Sequence, residues 1–284
     1  MPQPSPEWLD AQYNNRARIP DHPQIFARWT NASALARQQA PCQLDVPYGD
    51  GAGETLDVFL PERANAPVFV FIHGGYWRSL DKSDHSFVAP ALVAAGAMVV
   101  VPNYALCPAV TIEHIALQMV KALDWTYRNA ARLGGDPQHI VVGGHSAGGH
   151  LAAMLLSCAW PKVAADLPKR LVHSALSISG VFDLEPLRHT PFIAKDLRLT
   201  AASARRLGPA LYPAPEGTLV AVVGGDESEE FIRQNELIRS AWGPAAVPVC
   251  ETIPGTHHLN VVHDLADAKA SLFAHARRLL ALDR

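Results

Sequence analysis

From residue 68 onward, short runs of β-branched and other apolar residues alternate with long amphipathic stretches. This alternation is typical of βαβ units, in which helices cover both faces of a parallel sheet. It predicts strands at residues 68–72, 98–101, 140–142, 175–178, 219–223 and 247–253. It also predicts helices at residues 83–95, 112–133, 147–159, 229–242 and 265–282. The chain is therefore predicted to be an α/β protein with a predominantly parallel sheet.

The first part of the chain departs from this alternation. Residues 1–40 form a polar N-terminal arm, and short strands at 44–46 and 56–60 flank a turn-rich segment, which predicts an antiparallel edge. Residues 184–215 are rich in charges and prolines, and they fall where an insertion could cover the carboxyl edge of the sheet. A plain surface excursion is the alternative. No repeat or linker divides the chain, so residues 1–284 are predicted to form one domain.

Composition excludes several classes of protein. Hydrophobic residues make up 49% of the chain, and the net charge is −3, which together argue against disorder and against a nucleic-acid partner. Residues 86–112 carry no Asp, Glu, Lys or Arg, but Pro90, Gly96 and Pro102 interrupt them, so no membrane span is predicted. The polar N-terminus and the four dispersed cysteines predict a cytoplasmic protein with free thiols.

The strongest chemical motif is Gly144-His145-Ser146-Ala147-Gly148, a G-x-S-x-G sequence between a predicted strand and a predicted helix. In this context the serine occupies a tight strand-to-helix turn that projects its hydroxyl from the sheet edge. The amides at the start of the following helix can stabilise a developing oxyanion. Ser146 is therefore predicted to be a nucleophile, and a helix N-cap is the structural alternative.

A second motif, His73-Gly74-Gly75-Tyr76-Trp77, follows the predicted strand at 68–72. Glycines in such a turn let backbone N–H groups approach a substrate carbonyl. Gly74 and Gly75, with the amide of Ala147, are predicted to form the oxyanion hole. Tyr76 and Trp77 are candidate substrate-binding residues, or else aromatic side chains packed within the loop.

A serine nucleophile needs a base and an orienting acid, which in an α/β-hydrolase follow the serine after later strands. Asp226 and Glu227 follow the strand at 219–223, and His257 and His258 follow the strand at 247–253. One member of each pair is expected to reach the site. Asp183, which follows an earlier strand, is a less favoured candidate for the acid.

Together these motifs resemble the kynurenine formamidase (arylformamidase) group of α/β-hydrolases, which is related to hormone-sensitive-lipase-like esterases. The likeness extends over residues 42–282 and includes the segment from Ser228 to Gln234, which resembles S-x-E-F-x-R-Q. The arm segment Tyr13-Asn14-Asn15 also resembles that group. The resemblance implies a sheet of about eight strands, a Ser-His-acid triad and hydrolysis of N-formylkynurenine through a formyl-enzyme. Because the acid precedes that serine in the group, Glu227 is favoured over Asp226, and the base is His258.

The residues alone imply only acyl transfer to water, so a broad-specificity short-chain carboxylesterase is the main alternative. A hydrolase-fold binding protein without activity is a second. The remaining histidines among the thirteen lack a shared metal-ligand spacing, and no nucleotide-binding motif is present, so neither a metal nor a cofactor is predicted. A small-molecule substrate is the expected partner, and a homodimer is left open.

Overall fold

The computed structural model describes residues 4–283, which are organised around one eight-stranded sheet. The strand order is β1-β2-β4-β3-β5-β6-β7-β8. Strand β2 runs antiparallel to β1 and β4, and the other adjacent pairs are parallel. The strands are β1 Cys42–Pro47, β2 Thr55–Phe59, β3 Ala66–Ile72, β4 Met98–Pro102, β5 Gly135–His145, β6 Val172–Ile178, β7 Thr218–Gly224 and β8 Val249–Ile253. The predicted α/β-hydrolase fold with its antiparallel edge is confirmed.

Helices cover both faces of this sheet, which explains the continuous apolar strands. In β3, Val68, Val70 and Ile72 face one apolar cluster, whereas Phe69 and Phe71 face the other, and all five side chains are fully buried. The α-helices in the described part of the chain are α1 Pro6–Tyr13, α2 Asn15–Arg18, α3 His22–Gln39, α4 Ala89–Ala94, α5 Ile112–Asn129, α6 Ala147–Leu156, α7 Trp160–Val163, α8 Pro191–Leu197, α9 Ala201–Arg206, α10 Glu229–Ala246 and α11 Ser271–Leu279.

Two predicted helices are broken in the structure. Residues 83–95 begin with two 3-10 turns before α4, and a capping box formed by Asp81 and Asp84 begins the first of these turns. Residues 265–282 contain the end of a 3-10 turn, a loop and then α11. Within residues 4–283, no helix is both long enough and apolar enough to cross a bilayer.

The N-terminal residues are more ordered than the predicted polar arm. They form α1, α2 and α3, and α3 buries Ile25, Trp29 and Ala36 against the sheet cluster that contains Phe69 and Phe71. Residues 184–215 contain α8, α9 and two 3-10 turns. The backbone N–H of Phe192 in α8 donates to the Asp10 carboxylate of α1 over 3.0 Å, so this segment packs beside the N-terminal helices. Its function as a cap stays a prediction.

Candidate active site

Ser146 lies in a strained turn between β5 and α6. Its backbone dihedrals are φ 56° and ψ −115°, a region that non-glycine residues rarely adopt. A Cβ at Gly144 would lie 2.2 Å from Gly148 O, and a Cβ at Gly148 would lie 2.0 Å from Ile72 O. The two glycines of the motif are therefore needed for the close approach of α6 to β5 and β3.

His258 is paired with Glu227. Its Nδ1 atom lies 2.6 Å from Glu227 Oε2, and both side chains are almost completely buried. The other carboxylate oxygen, Oε1, accepts hydrogen bonds from the Gly224 N–H, over 2.8 Å, and from the Ser179 hydroxyl. The carboxylate is thus held in one orientation, with Oε2 directed at the imidazole.

The other members of the two doublets point elsewhere. Asp226 is exposed, and its backbone N–H donates to Thr256 O over 2.9 Å. The His257 ring is turned toward its own loop, where Nδ1 accepts from the backbone N–H groups of Leu259 and Asn260. The Asp183 carboxylate accepts from the backbone N–H of Glu185 and lies 3.7 Å from Arg233. In the described part of the chain, Glu227 is the acidic residue in contact with His258.

Two residues that the sequence analysis did not assign to the site support His258. Phe231 lies against the His258 ring with a centroid distance of 4.3 Å, and His145 lies 4.8 Å away. His145 Nε2 is 2.8 Å from His258 O. Burial, and then repulsion from His258, hold the pKa of His145 well below its ordinary value, so the neutral ring donates Nε2–H to that carbonyl. His145 therefore fixes the backbone that carries the imidazole.

The loop after β3 presents free backbone donors beside Ser146. Within residues 4–283, the N–H groups of Gly74, Gly75 and Ala147 have no protein acceptor. Gly75 has φ 103°, and a Cβ there would lie 2.1 Å from Ser79 O. His73 stabilises the turn, because its Nδ1 donates to Gly74 O over 2.8 Å.

A cavity of about 70 Å³ joins these elements. Its lining residues are Asn14, Asn15, Arg16, Phe26, Trp29, Gly75, Tyr76, Arg78, Ser79, Leu80, His145, Ser146, Phe192, His258 and Leu259. Ser146 and His258 thus share one cavity, although among the described residues the Ser146 hydroxyl makes no hydrogen bond. The hydrogen bond between a serine nucleophile and its base is often long or poorly aligned until substrate is bound. The N-terminal residues 14–16 were absent from the sequence-based site.

The two aromatic candidates of the loop have different surroundings. Tyr76 lines the cavity, and its hydroxyl donates to Tyr13 O over 2.6 Å. Trp77 does not line the cavity, because its side chain is completely buried and packs edge-on against His150 at a centroid distance of 5.0 Å. The sequence-based alternative of a packed loop aromatic describes Trp77, and its assignment as a substrate-binding residue is corrected accordingly.

The N-terminal residues are attached to the start of α10 by buried contacts. The Tyr13 hydroxyl donates to Glu230 Oε2 over 2.6 Å, and Arg233 forms two hydrogen bonds to the same carboxylate. The Tyr13 ring packs edge-on against Phe231, which itself contacts His258.

In residues 4–283, no group of three or more His, Cys, Asp or Glu side chains is arranged to hold a metal ion.

Comparisons with known proteins place this chain among hydrolases. A family model described as BD-FAE matches residues 56–184. The kynurenine formamidase of Salmo salar is 32% identical over 82% of this chain and 80% of its own length. Carboxylesterase NlhH of Mycobacterium tuberculosis is 42% identical over 34% of this chain and 31% of its own length. A solved structure of a candidate thioesterase from Silicibacter sp. tm1040 is 32% identical and has a TM-score of 0.82, covering 94% of this chain and 97% of that one.

Proposed function

We propose that this chain, which belongs to the kynurenine formamidase family of α/β-hydrolases, hydrolyses an N-formyl aryl amide to an aryl amine and formate. N-Formylkynurenine is the substrate we favour. The observation that carries the proposal is that Ser146 lines one cavity with His258, whose ring is paired with Glu227, in a chain related over most of its length to kynurenine formamidases.

In this proposal Ser146 is the nucleophile and His258 is the general base. The contact between His258 Nδ1 and Glu227 Oε2 supports a neutral imidazole with its proton on Nδ1, which leaves Nε2 free to accept the serine proton. Glu227 would then stabilise the imidazolium that forms. Asp226 is not proposed as the acid, because it is exposed and Glu227 already occupies the contact with His258.

The oxyanion hole is proposed to consist of the N–H groups of Gly74, Gly75 and Ala147. Their lack of protein acceptors within residues 4–283 supports this assignment, because buried N–H groups are normally satisfied. Ala147 also begins the ten-residue helix α6, whose N-terminal dipole favours negative charge. Donors that are already oriented stabilise a developing oxyanion without reorganisation.

The proposed reaction has two acyl-transfer steps. The Ser146 oxygen bonds to the formyl carbon while its proton passes to His258, and the carbonyl oxygen becomes an anion in the oxyanion hole. As the C–N bond breaks, His258 gives that proton to the leaving nitrogen, which releases the aryl amine. Water then attacks the formyl-enzyme, with His258 again as base, and formate leaves as Ser146 recovers its proton.

The cavity wall supports an aryl leaving group. Phe26, Trp29, Tyr76 and Phe192 all line the cavity and come from α3, the loop after β3 and α8. Aromatic faces and edges of this kind pack against an aryl ring at centroid distances of about 4.5–7 Å.

The experiment that tests the proposal compares N-formylkynurenine with p-nitrophenyl acetate. We expect formate release from N-formylkynurenine with kcat/KM at least comparable to that for the ester, and we expect Ser146→Ala to abolish both activities without loss of folded protein. Thermal unfolding of the variant provides the folding control. Hydrolysis of the ester without detectable formate release would reject the formamidase proposal.

A short-chain carboxylesterase is the second candidate function. The similarity to carboxylesterase NlhH favours it, and the proposed acyl-transfer groups can act on an ester as well as on an amide. A series of p-nitrophenyl esters of increasing chain length would test it. If this function is correct, short acyl esters should be turned over faster than N-formylkynurenine.

A further inference from the structure

The catalytic cavity contains an unbalanced positive charge. Its lining includes two guanidinium groups, those of Arg16 and Arg78, and no Asp or Glu. Arg78 is already engaged, because its Nη1 donates to the Asp196 carboxylate and, over 2.9 Å, to Phe192 O. Arg16 differs from it, since within residues 4–283 no carboxylate lies within 4 Å of its guanidinium. The charge of Arg16 is therefore available to a ligand.

Arg16 is held at the cavity by neutral contacts. Its Nη2 atom donates to Ser79 Oγ over 3.2 Å, and its Cζ atom lies 5.3 Å from the centre of the Phe26 ring. Ser79 Oγ in turn donates to Gly75 O over 3.1 Å, so the guanidinium is connected to the proposed oxyanion loop. Burial, and then repulsion from Arg78, lower the pKa of Arg16 from its ordinary value, and a bound anion would relieve both effects.

A second unpaired donor lies next to Arg16 in the chain. Asn15 lies between this cavity and the adjacent pocket that contains Glu227, lines both and is only 6% exposed, yet its Nδ2 atom has no hydrogen-bond partner in the described part of the chain. A buried amide donor without a partner destabilises the fold, so an unsatisfied one at a cavity wall is a reason to expect a ligand acceptor there. The Arg16 guanidinium and the Asn15 amide thus each indicate a ligand group with oxygen atoms that accept hydrogen bonds.

We propose that Arg16 and Asn15 form a carboxylate-binding subsite, which makes the enzyme selective for substrates whose leaving group carries a carboxylate. This proposal rests on the proposed hydrolase function of the same cavity. Arginine binds carboxylates with two parallel hydrogen bonds, and the Asn15 amide can donate a further one. The aromatic wall would hold the aryl ring while the subsite holds the anion, so that the scissile carbonyl is oriented at Ser146.

The test compares N-formylkynurenine with its α-carboxamide, which has nearly the same shape but lacks the negative charge. Formate release is measured for the wild type and for Arg16→Gln. We expect the variant to lose at least about tenfold in kcat/KM for the carboxylate substrate, mainly through KM, and to change less than about twofold for the carboxamide. Equal losses on both substrates, or no loss on either, would refute the subsite.

Two further variants separate charge recognition from folding. Arg16→Lys keeps the positive charge but cannot form two parallel hydrogen bonds to a carboxylate. We expect this variant to keep part of the substrate selectivity that Arg16→Gln loses. Arg28→Gln is the matched control, because Arg28 is exposed on the neighbouring helix α3 and lines neither the cavity that contains Ser146 nor the adjacent pocket that contains Glu227 and His258. The substrate preference of that control should equal the wild-type preference.

An ester pair keeps the subsite testable if the formamidase proposal fails. The enzyme is then assayed with 3-carboxyphenyl acetate and with 3-carbamoylphenyl acetate, which again differ in the charge of the leaving group. A preference for the carboxylate that Arg16→Gln removes would support the subsite without any formamide hydrolysis. The same preference in the wild type and the variant would overturn it.

Discussion

Replacing Glu227 with glutamine tests whether this carboxylate, as the proposed acid, determines which ring nitrogen of His258 carries the proton. In the native structure Oε1 accepts from the Gly224 N–H and the Ser179 hydroxyl, whereas Oε2 faces His258 Nδ1. A glutamine carbonyl would keep the first two contacts, and its NH₂ group would then face the imidazole. Since Nδ1 would have to accept from that NH₂, the ring proton would move to Nε2, where the base must be unprotonated.

The expected loss is large because the wrong tautomer cannot accept the serine proton. Amide substitution of a triad carboxylate in a serine protease lowers kcat by about 10⁴-fold. With a geometry as fixed as that of Glu227, we expect kcat to fall about 10³–10⁴-fold, which corresponds to roughly 4–5.5 kcal/mol of activation free energy. Steady-state formate release, or p-nitrophenol release from an ester, measures the change, and thermal unfolding confirms that Glu227→Gln remains folded.

Asp226→Asn provides the comparison at the neighbouring position. Because Asp226 is exposed and Glu227 holds the contact with His258, this variant should retain kcat within about twofold. The reasoning is refuted if Glu227→Gln keeps more than about a tenth of the activity, or if Asp226→Asn loses more than Glu227→Gln does.

Two other predictions concern groups around this pair. Ser179→Ala removes a hydrogen bond to the Glu227 carboxylate and should lower kcat by about tenfold; unchanged kcat would show that the Gly224 N–H alone orients the carboxylate. Burial lowers the pKa of His150 to about 4, so below pH 6.5 the unfolded chain binds a proton that the folded chain does not. Between pH 7 and pH 5 this histidine should lower the free energy of unfolding by about 2 kcal/mol. Denaturant titrations should show a pH dependence weaker by that amount in His150→Gln, which can still donate to Leu207 O, and an equal pH dependence would contradict the assignment.

The sequence predicted the inner strands well because both faces of the sheet are buried, so that β-branched runs mark the strands directly. The inner strand β5 is longer than predicted, at Gly135–His145 rather than 140–142, and the edge strand β8 begins at Val249 rather than 247. Gly243, with φ 78°, bends the chain while the helical segment continues to Ala246, and the Val247 N–H still caps it by donating to Gly243 O. Local apolarity alone cannot show that a valine caps a helix.

The helix α3 escaped prediction because its apolar face is narrow. Ile25, Trp29 and Ala36 follow helical spacing, but Ser33 occupies the intervening buried position, and its hydroxyl accepts from the Phe87 N–H over 3.1 Å. A buried serine satisfied by a distant backbone group has the same sequence signal as a solvent-exposed serine. Only the folded structure identifies the Phe87 N–H as the partner of Ser33.

The sequence reveals the candidate site unevenly for a similar reason. Ser146 and the glycine turn carry local motifs, and the register against Ser228 favours Glu227 over Asp226. Ser179 and Arg16 have no such motif, and the resemblance of Tyr13-Asn14-Asn15 gives Asn15 no role, because the contacts of these residues depend on strand order and on the return of the N-terminus to the cavity. Trp77 belongs to the same loop as Gly74 and Gly75, and only its burial reveals that its side chain packs in the core.

The attachment of the first helix to α10 has a consequence for synthesis of the chain. Tyr13 and its partner Glu230 are separated by 217 residues, so at about 5–20 residues per second the partner emerges roughly 10–40 s after Tyr13. During that interval the nascent chain contains most of the residues that line the cavity, but not the proposed base His258, which follows Glu230 in the sequence. The proposed hydrolysis should therefore begin only after the segment with His258 has been synthesised and has packed against Phe231 of α10.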